Sequence, residues 1–351
     1  MIGAPGDAID PWLLEHLVCP RDRQRLTPAA SGLACGSGHR YPVVDGVPVM
    51  LLDDVTHTIS IAGGSMREAA RPEPRTGEAG LYLDSIGISD EEKRGVMALA
   101  AQGSGIDPVV AYLVAATNGL MYKHLIGHLD RYPIPDLPLP AGRGRRLVDI
   151  GCSWGRWSLA AQRLGYETVG VDPSLGAVMA ARRVARQLGA DSRYVVADAR
   201  YLPFADQTFD VAFSYSVVQH FSHVDAELAV SEMGRLLRNG GIAKVQLPTR
   251  FGVRCLYHQA RRGFRSPREF EVRYRTLGQM ARMFESRVGP PQFEVDGYFG
   301  IGLQRADEPL MTPALKAVLR ASEGLKQISR VFALLVWLAD SVWVQATRHR
   351  S

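Results

Sequence analysis

The residues with the clearest chemical potential lie in one short segment, 147–155, which reads Leu-Val-Asp-Ile-Gly-Cys-Ser-Trp-Gly. Glycines in a turn between a strand and a helix let backbone N–H groups approach a ligand closely, because no Cβ atom intervenes. Asp172 follows 17 residues after Gly155 and closes a second apolar run, where a carboxylate can accept hydrogen bonds from a ribose diol. This combination predicts a site for a nucleoside-containing cofactor.

The acidic residue before the first glycine bears on which cofactor binds. The turn reads Asp149-x-Gly-x-Ser-x-Gly, whereas the turn of dinucleotide-binding folds reads Gly-x-Gly-x-x-Gly. A pyrophosphate at this turn would meet the Asp149 carboxylate, which is an unfavourable contact between like charges. A cofactor that carries an ammonium group fits the same carboxylate.

Five segments of the chain resemble, in order, the motifs of the class I S-adenosylmethionine-dependent methyltransferases of the type 11 group. They are 147–155, 169–174, 194–199, 209–220 and 236–247. The resemblance implies an α/β fold with a Rossmann-like, seven-stranded sheet, in which 293–302 and 340–348 would be the sixth and seventh strands. Ser153 departs from the family, which usually has the middle glycine of the turn at this position.

The resemblance also implies which side chains contact S-adenosylmethionine. Asp172 is expected at the ribose and Asp198 at the adenine amine, while Asn118, Tyr122 and Lys123 would face the methionine end from a preceding helix. The alternative for Tyr122 is a half-buried place on a helix face. The expected cofactor-binding residues are Asp149, Gly151, Ser153, Gly155, Asp172, Asp198, Ala199, Ser214 and Tyr122.

His220 is the candidate catalytic residue. It lies just after the fourth predicted strand, where a side chain can project over the reacting methyl group, and imidazole titrates near neutral pH. Methyl transfer needs mainly an in-line arrangement, and a general base is required only for a weakly acidic nucleophile such as an alcohol. The alternative is that His220 caps the next helix or packs against the cofactor. His258 is a second candidate base, whereas His223 belongs to a helix start.

Residues 1–56 are predicted to form a separate small β domain with four potential metal ligands, Cys19, Asp22, Cys35 and His39. The segment resembles the small zinc-ribbon family that activates methyltransferases, but that family has two cysteine pairs. Here Asp22 replaces one cysteine, and the second pair is a cysteine and a histidine. Two thiolates, an imidazole and a carboxylate can bind zinc. The favoured alternative is a metal-free ribbon whose apolar hairpin, 41–52, docks on the rest of the chain.

Two further segments complete the predicted organisation: a helical connector and cofactor cap at 57–144, and the methyltransferase domain at 145–351. A basic insertion at 250–275 holds eight arginines and two glutamates, which suits a phosphate or carboxylate on the substrate, or an RNA backbone. The mostly apolar stretch 313–338 would be a dimer face, a lid for an apolar substrate, or core. Lid and core are favoured.

These features together predict an S-adenosylmethionine-dependent methyltransferase that O-methylates a small molecule, a sugar or a secondary metabolite. The basic insertion allows this molecule to be anionic. The alternatives are an rRNA or tRNA base methyltransferase and a catalytically inert binding module; a homodimer is a further option. The N-terminus lacks a secretory signal and no apolar run reaches the length of a membrane span. With four unevenly spaced cysteines, the expected location is the cytoplasm. The net charge of +5 permits an acidic partner.

Overall fold

The structure, a computed structural model, describes residues 8–71, 77–103, 105–118, 120–300, 302 and 304–349. Its first helix, α1 (Pro11–His16), has proline at the first position, and the Asp10 carboxylate caps it by accepting the N–H of Trp12. Five short strands follow: β1 (Leu26–Ala29), β2 (Gly32–Cys35), β3 (Arg40–Tyr41), β4 (Val43–Val44) and β5 (Val47–Pro48). Strands β1 to β3 form one antiparallel sheet, and β4 and β5 form a hairpin. The predicted small β unit is therefore present.

Three helices connect this unit to the main sheet: α2 (Ile61–Ala69), α3 (Asp90–Gln102) and α4 (Pro108–Asn118). Short 3₁₀ turns lie between and after them, at Ala79–Leu81, Leu83–Ser85 and Leu120–Leu125. A capping box of Ser89 and Glu92 starts α3. Asn118 and Lys123, which were expected to face the cofactor, have side chains that are not among those the structure describes.

The main sheet has seven strands: β6 (Arg146–Ile150), β7 (Glu167–Asp172), β8 (Arg193–Val196), β9 (Phe209–Tyr215), β10 (Leu237–Pro248), β11 (Pro291–Gly297) and β12 (Ser341–Thr347). Their order across the sheet is β11-β12-β10-β9-β6-β7-β8. Five strands pair in parallel, and β12 lies antiparallel between β10 and β11. This arrangement confirms the predicted Rossmann-like fold, including the sixth and seventh strands.

Helices flank the sheet: α5 (Arg156–Arg163), α6 (Leu175–Gln187), α7 (His223–Leu236), α8 (Val253–Arg261), α9 (Leu277–Glu285) and α10 (Pro313–Ser329). Further 3₁₀ turns lie at Val218–His220, Arg305–Leu310 and Ala333–Leu338. In the described chain, no helix is both long and apolar enough to cross a bilayer. Of the two favoured placements of 313–338, lid or core, the core placement is wrong for the last part, because Leu334 is 82% exposed.

The N-terminal unit docks on the edge of the main sheet. Strand β8 is the edge strand, and Val49 forms a parallel bridge to Val196, while the N–H of Met50 donates to the Val196 carbonyl at 2.7 Å. Leu13 and Leu33 belong to the same buried apolar cluster as residues of the main sheet. Docking covers an edge that would otherwise expose unpaired backbone groups. The chain after β5 then passes beside the carboxyl ends of the strands, at residues 57–62.

Candidate functional site

A cavity of about 660 Å³ lies at the carboxyl ends of β6, β7 and β9. Strand β6 lies between β7 and β9, so the chain order reverses at this point, where open α/β sheets bind their ligands. Six of the residues predicted for the site line the cavity: Gly151, Ser153, Asp172, Asp198, Ala199 and His220. The structure thus brings together residues from four separate motifs of the sequence.

The turn after β6 needs glycine at Gly151 for two reasons. Its φ of +78° lies in the left-handed region, and an added Cβ atom would come within 2.1 Å of the Val217 side chain. Ser153 also has a positive φ, 48°, which is strained for a residue with a side chain. The N–H of Ser153 donates to Asp172 Oδ2 at 3.0 Å, so the turn is tied to the end of β7.

Asp172 is a carboxylate held in the wall of the cavity by two backbone donors. It accepts the N–H of Ser153 and the N–H of Ser174, the latter at 2.9 Å. Burial nevertheless dominates and raises the pKa of Asp172 to about 6. A ligand diol that donates to this carboxylate would stabilise its charged form, so the site is suited to bind one.

Asp198 is already occupied by cationic and polar neighbours. Its two oxygens accept hydrogen bonds from the Arg200 guanidinium, and His57 Nδ1 lies 3.6 Å from Oδ2. Burial opposes its ionisation, yet His57 and Arg200 hold the pKa of Asp198 at about 2. Arg200 also pairs with Asp225 and donates to the carbonyl of Thr56. Asp198 therefore faces the cavity as a fixed, charge-balanced acceptor.

His220 lines the cavity with a defined tautomer. Its Nδ1 lies 2.7 Å from the Phe270 carbonyl, and because a carbonyl can only accept, Nδ1 carries the proton. The ring also stacks on the Phe270 ring with centroids 3.8 Å apart. Burial lowers the pKa of His220 to about 4. The ring is therefore neutral at physiological pH. The lone pair of Nε2, which accepts the Gln219 amide N–H at 3.4 Å, is the one that can accept a proton.

Four of the predicted cofactor-binding residues lie outside the lining of the cavity. Asp149 is buried behind the turn, where it accepts the hydroxyl of Ser158 at 2.7 Å and burial raises its pKa to about 7. Gly155 packs beneath the turn, and a Cβ there would lie 2.8 Å from the hydroxyl of Tyr194. These two positions support the turn from behind.

The other two predicted residues outside the lining point elsewhere. The hydroxyl of Ser214 donates to the carbonyl of Ile150, joining β9 to β6. The hydroxyl of Tyr122 donates to Asp307, which also receives Arg156. The structure therefore does not place Tyr122 in the cavity lining, where it was expected to face the methionine end. Its hydroxyl is hydrogen-bonded to the buried Asp307 instead.

A cofactor cap was predicted within 57–144, but several residues that form the cavity wall were not named. Residues 57–59 and 61–62 line it, together with Ile86 and Gly87, and they come from the segment just after the N-terminal unit and from the turn before α3. Gln219 also lines it, and its Oε1 has no hydrogen-bond partner among the described residues. Gln219 could have been proposed for the site because it is next to His220 in the sequence.

Unpaired donors and acceptors test whether S-adenosylmethionine fits this cavity. Among the described residues, the buried indole N–H groups of Trp154 and Trp157 lack acceptors, and both residues line the cavity. A ligand with a carboxylate, hydroxyls and an amine offers partners to these donors, to Asp172 and to Gln219. Gly151 leaves room for close approach of the ligand to the backbone. The residues fit the cofactor.

The four potential metal ligands of the N-terminal unit converge, with their ligand atoms within 4.8 Å of one another. His39 Nδ1 lies 3.4 Å from Cys19 Sγ and 3.3 Å from Cys35 Sγ. Asp22 Oδ2 lies 3.3 Å from His39 Nδ1 and 3.6 Å from Cys35 Sγ. Tetrahedral zinc with bonds of about 2.0–2.3 Å has ligand–ligand edges of about 3.3–3.8 Å. The donor set and its spacing therefore fit zinc.

Comparison with known proteins agrees with the geometry of the main sheet. Residues 147–241 match the family described as "Methyltransferase domain". The matched segment begins at β6, includes Asp172, Asp198 and His220, and ends within β10.

Two curated relatives of the domain are named ubiquinone biosynthesis O-methyltransferase. The protein of Agrobacterium fabrum is 36% identical over 115 residues, which cover 33% of this chain and 44% of that protein. The protein of Ruegeria sp. is 34% identical over 120 residues, which cover 34% of this chain and 47% of that protein. The match thus spans less than half the length of each relative.

Among solved structures, a SAM-dependent methyltransferase of Methanosarcina mazei matches with a TM-score of 0.44 and 18% identity, over 64% of this chain and 100% of that chain. The phosphoethanolamine N-methyltransferase 2 of Haemonchus contortus, solved with S-adenosyl-L-methionine, matches with a TM-score of 0.42 and 18% identity. That match covers 68% of this chain and 57% of the other.

Proposed function

We propose that the chain is an S-adenosylmethionine-dependent O-methyltransferase that acts on a small molecule. The observation that carries this proposal is the neutral His220 beside the cavity at the reversal point of the methyltransferase sheet. S-adenosylmethionine, when bound, supplies an electrophilic methyl group. Asp172, the turn at Gly151 and Ser153, and the end of β8 at Asp198 would hold it.

His220 accepts the proton of the acceptor hydroxyl at Nε2 in this proposal. The Phe270 carbonyl holds the proton on Nδ1 and the Phe270 ring holds the imidazole plane, so Nε2 keeps its lone pair. A base of low pKa is neutral throughout the physiological range, and it deprotonates an acidic hydroxyl such as a phenol more readily than an aliphatic alcohol. Gln219 Oε1, which has no partner in the described chain, can accept a second hydroxyl of the acceptor.

A small-molecule acceptor is supported by how the basic insertion is used. Arg273 donates to the carbonyl of His220, and Arg275 donates to the carbonyls of Val218 and Phe221. These two arginines therefore stabilise the turn that carries the candidate base. Because their guanidinium groups are bound to backbone carbonyls, they are not available to bind an RNA backbone. The names of the curated relatives point the same way, since both are O-methyltransferases of ubiquinone biosynthesis.

Methyl transfer from isotopically labelled S-adenosylmethionine tests the proposal. We expect labelled product with hydroxylated small molecules, from catechols to sugars, and none with bulk tRNA or rRNA. His220→Gln should lower kcat by about 10²–10⁴ while leaving the affinity for S-adenosylhomocysteine within a factor of about two, as expected for the loss of a base alone. His223→Gln is the matched control, because that histidine starts α7 and is exposed. Transfer to RNA, or equal losses in the two variants, would contradict the assignment.

We further propose that Cys19, Asp22, Cys35 and His39 bind Zn²⁺ as a structural ion. Cys19 Sγ also lies 3.1 Å from the hydroxyl of Tyr41, which would orient the thiolate from outside the ligand set. Elemental analysis of the purified protein should find one zinc per chain, and Cys35→Ser should reduce it to well below one. Full thermal stability in metal-stripped protein would support the metal-free alternative instead.

A further inference from the structure

Helix α8 exposes an apolar stripe to solvent. Val253, Leu256, Tyr257 and Ala260 recur at the i, i+3, i+4, i+7 spacing of one helix face, and all four are exposed. The opposite face, with Cys255 and Gln259, is the one that packs on the protein. An amphipathic helix normally turns its apolar stripe toward the core, so this stripe has no partner within the described chain.

A basic stripe lies beside the apolar one. Arg254, His258 and Arg261 follow at i, i+4 and i+7 on α8, and Arg265 lies just after the helix. His258, Arg261 and Arg265 line a shallow cleft of about 720 Å³. Arg261 makes no ion pair among the described residues, whereas Arg265 pairs with Glu271 at the edge of the cleft. Between residues 250 and 266 the sequence contains no acidic side chain. The surface is therefore apolar and cationic at once.

A second exposed apolar segment adjoins the start of α8. Within 331–338, Val331 is 78% exposed and Leu334 82% exposed, while Phe332, Trp337 and Leu338 are also exposed. The residues directly after this segment touch α8, because Asp340 accepts the N–H groups at positions 254 and 255. No acidic residue occurs between positions 327 and 339, and an arginine occupies position 330.

We propose that α8 and residues 331–338 form a docking surface for an anionic lipid bilayer. A basic amphipathic helix with its apolar face outward lies in the headgroup region, where apolar side chains enter the acyl boundary and cations meet anionic headgroups. A second copy of the same surface would bring together two patches in which cations outnumber carboxylates, which disfavours self-association. The charge pattern therefore selects a negatively charged membrane surface.

The docking surface adjoins the wall of the catalytic cavity. Phe270 and Val272 line the cleft beneath the basic stripe on one side and the cavity on the other. Phe270 is also the residue that stacks on His220. Docking would therefore place a bilayer beside this wall. The proposal does not depend on the identity of the methyl acceptor, since it rests on the outer surface alone.

Vesicle binding by the full-length protein tests the proposal, with Trp337 as an internal probe. Trp337 is 46% exposed, Trp12 is half-buried in the N-terminal unit, and Trp154, Trp157 and Trp343 are buried. An emission shift that Trp337→Phe removes therefore reports the environment of this surface. Vesicles of phosphatidylcholine and phosphatidylglycerol (3:1) should co-sediment the protein and shift its emission to shorter wavelength. Pure phosphatidylcholine vesicles should bind at least about tenfold more weakly, and added salt should weaken binding to the anionic vesicles.

Two double variants separate the apolar and cationic contributions. Leu256→Ser with Leu334→Ser, and Arg261→Gln with Arg330→Gln, should each weaken binding to the anionic vesicles at least about tenfold. The control, Val224→Ser on α7, changes an exposed apolar residue elsewhere and should bind like the wild type. Each variant is checked for an unchanged thermal transition. Absence of vesicle binding, equal binding by all variants, or a wild-type dimer that the first double variant dissociates would overturn the proposal.

Discussion

The raised pKa of Asp172 predicts how strongly the affinity for S-adenosylhomocysteine depends on pH. Burial raises its pKa to about 6 in the free protein, so the charged carboxylate that a ribose diol needs is depleted in mild acid. At a pH of about 5, roughly one tenth of such a group is ionised, which should weaken binding about tenfold, or about 1.4 kcal/mol, relative to a pH of about 7.5. Affinity for S-adenosylhomocysteine should therefore rise with pH through about 6.

Titration calorimetry of the wild type and Asp172→Asn across this range is the assay. The variant should bind more weakly at neutral pH, by about 1.5–3 kcal/mol for a lost charge-assisted hydrogen bond, and its affinity should no longer change near pH 6. Asp149→Asn is the control, because that carboxyl titrates nearby, at about 7, but lies outside the cavity lining. It should keep the wild-type midpoint. A flat wild-type profile, or one that Asp172→Asn leaves unchanged, would refute the reasoning.

The raised pKa of Asp172 also makes the stability of the folded protein depend on pH. A carboxyl whose pKa is raised on folding binds more protons in the folded state between its unfolded pKa and about 6. Its contribution therefore favours the folded state in acid and is lost as pH rises through about 6. A bound diol would offset this loss, so S-adenosylhomocysteine should raise Tm more at pH 8 than at pH 5.

Three further perturbations test the framework around the site. Gly151→Ala should abolish binding of S-adenosylhomocysteine and lower Tm sharply, whereas Gly144→Ala, also at positive φ but in open space, should cost only about 1 kcal/mol in chemical denaturation. Arg200→Gln should destabilise by about 3–5 kcal/mol in the same assay, because it leaves a buried carboxylate without its counter-ion. A chain that starts at residue 57 should be insoluble or unfolded by circular dichroism, since it exposes the edge of β8; full solubility and activity would refute the docking role of the N-terminal unit.

The sequence predicted the architecture of the main sheet because its motifs are local. A strand, a turn and a helix within some 20 residues carry their own periodicity and glycine positions, so the sequence alone assigns Gly151 and Asp172 to one ligand site. His220 could be placed at the site for the same reason, because it follows β9 directly. These are contacts between neighbours in the chain or between adjacent strand ends.

The docking of the 41–52 hairpin was predicted from its apolar composition, but other contacts between distant parts of the chain could not be predicted. The hydroxyl of Tyr122 meets Asp307 across 185 positions, and the wall around His57 comes from the segment that follows the N-terminal unit. Composition indicated a basic insertion at 250–275, but it predicted neither helix α8 nor that the apolar stripe of this helix faces solvent. The burial of Cys255 and Gln259 decides that orientation, and it depends on packing against the strand that ends the chain.

A crystal structure of the protein grown with S-adenosylhomocysteine would test whether the cavity at the carboxyl ends of β6, β7 and β9 binds the cofactor. We expect difference density in the cavity between Gly151 and Ala199, with the ribose hydroxyls within hydrogen-bond distance of Asp172 and the sulfur atom directed toward His220. Density for the ligand elsewhere on the molecule, or an empty cavity at saturating ligand in crystals of the folded chain, would contradict the assignment of this site and of the function built on it.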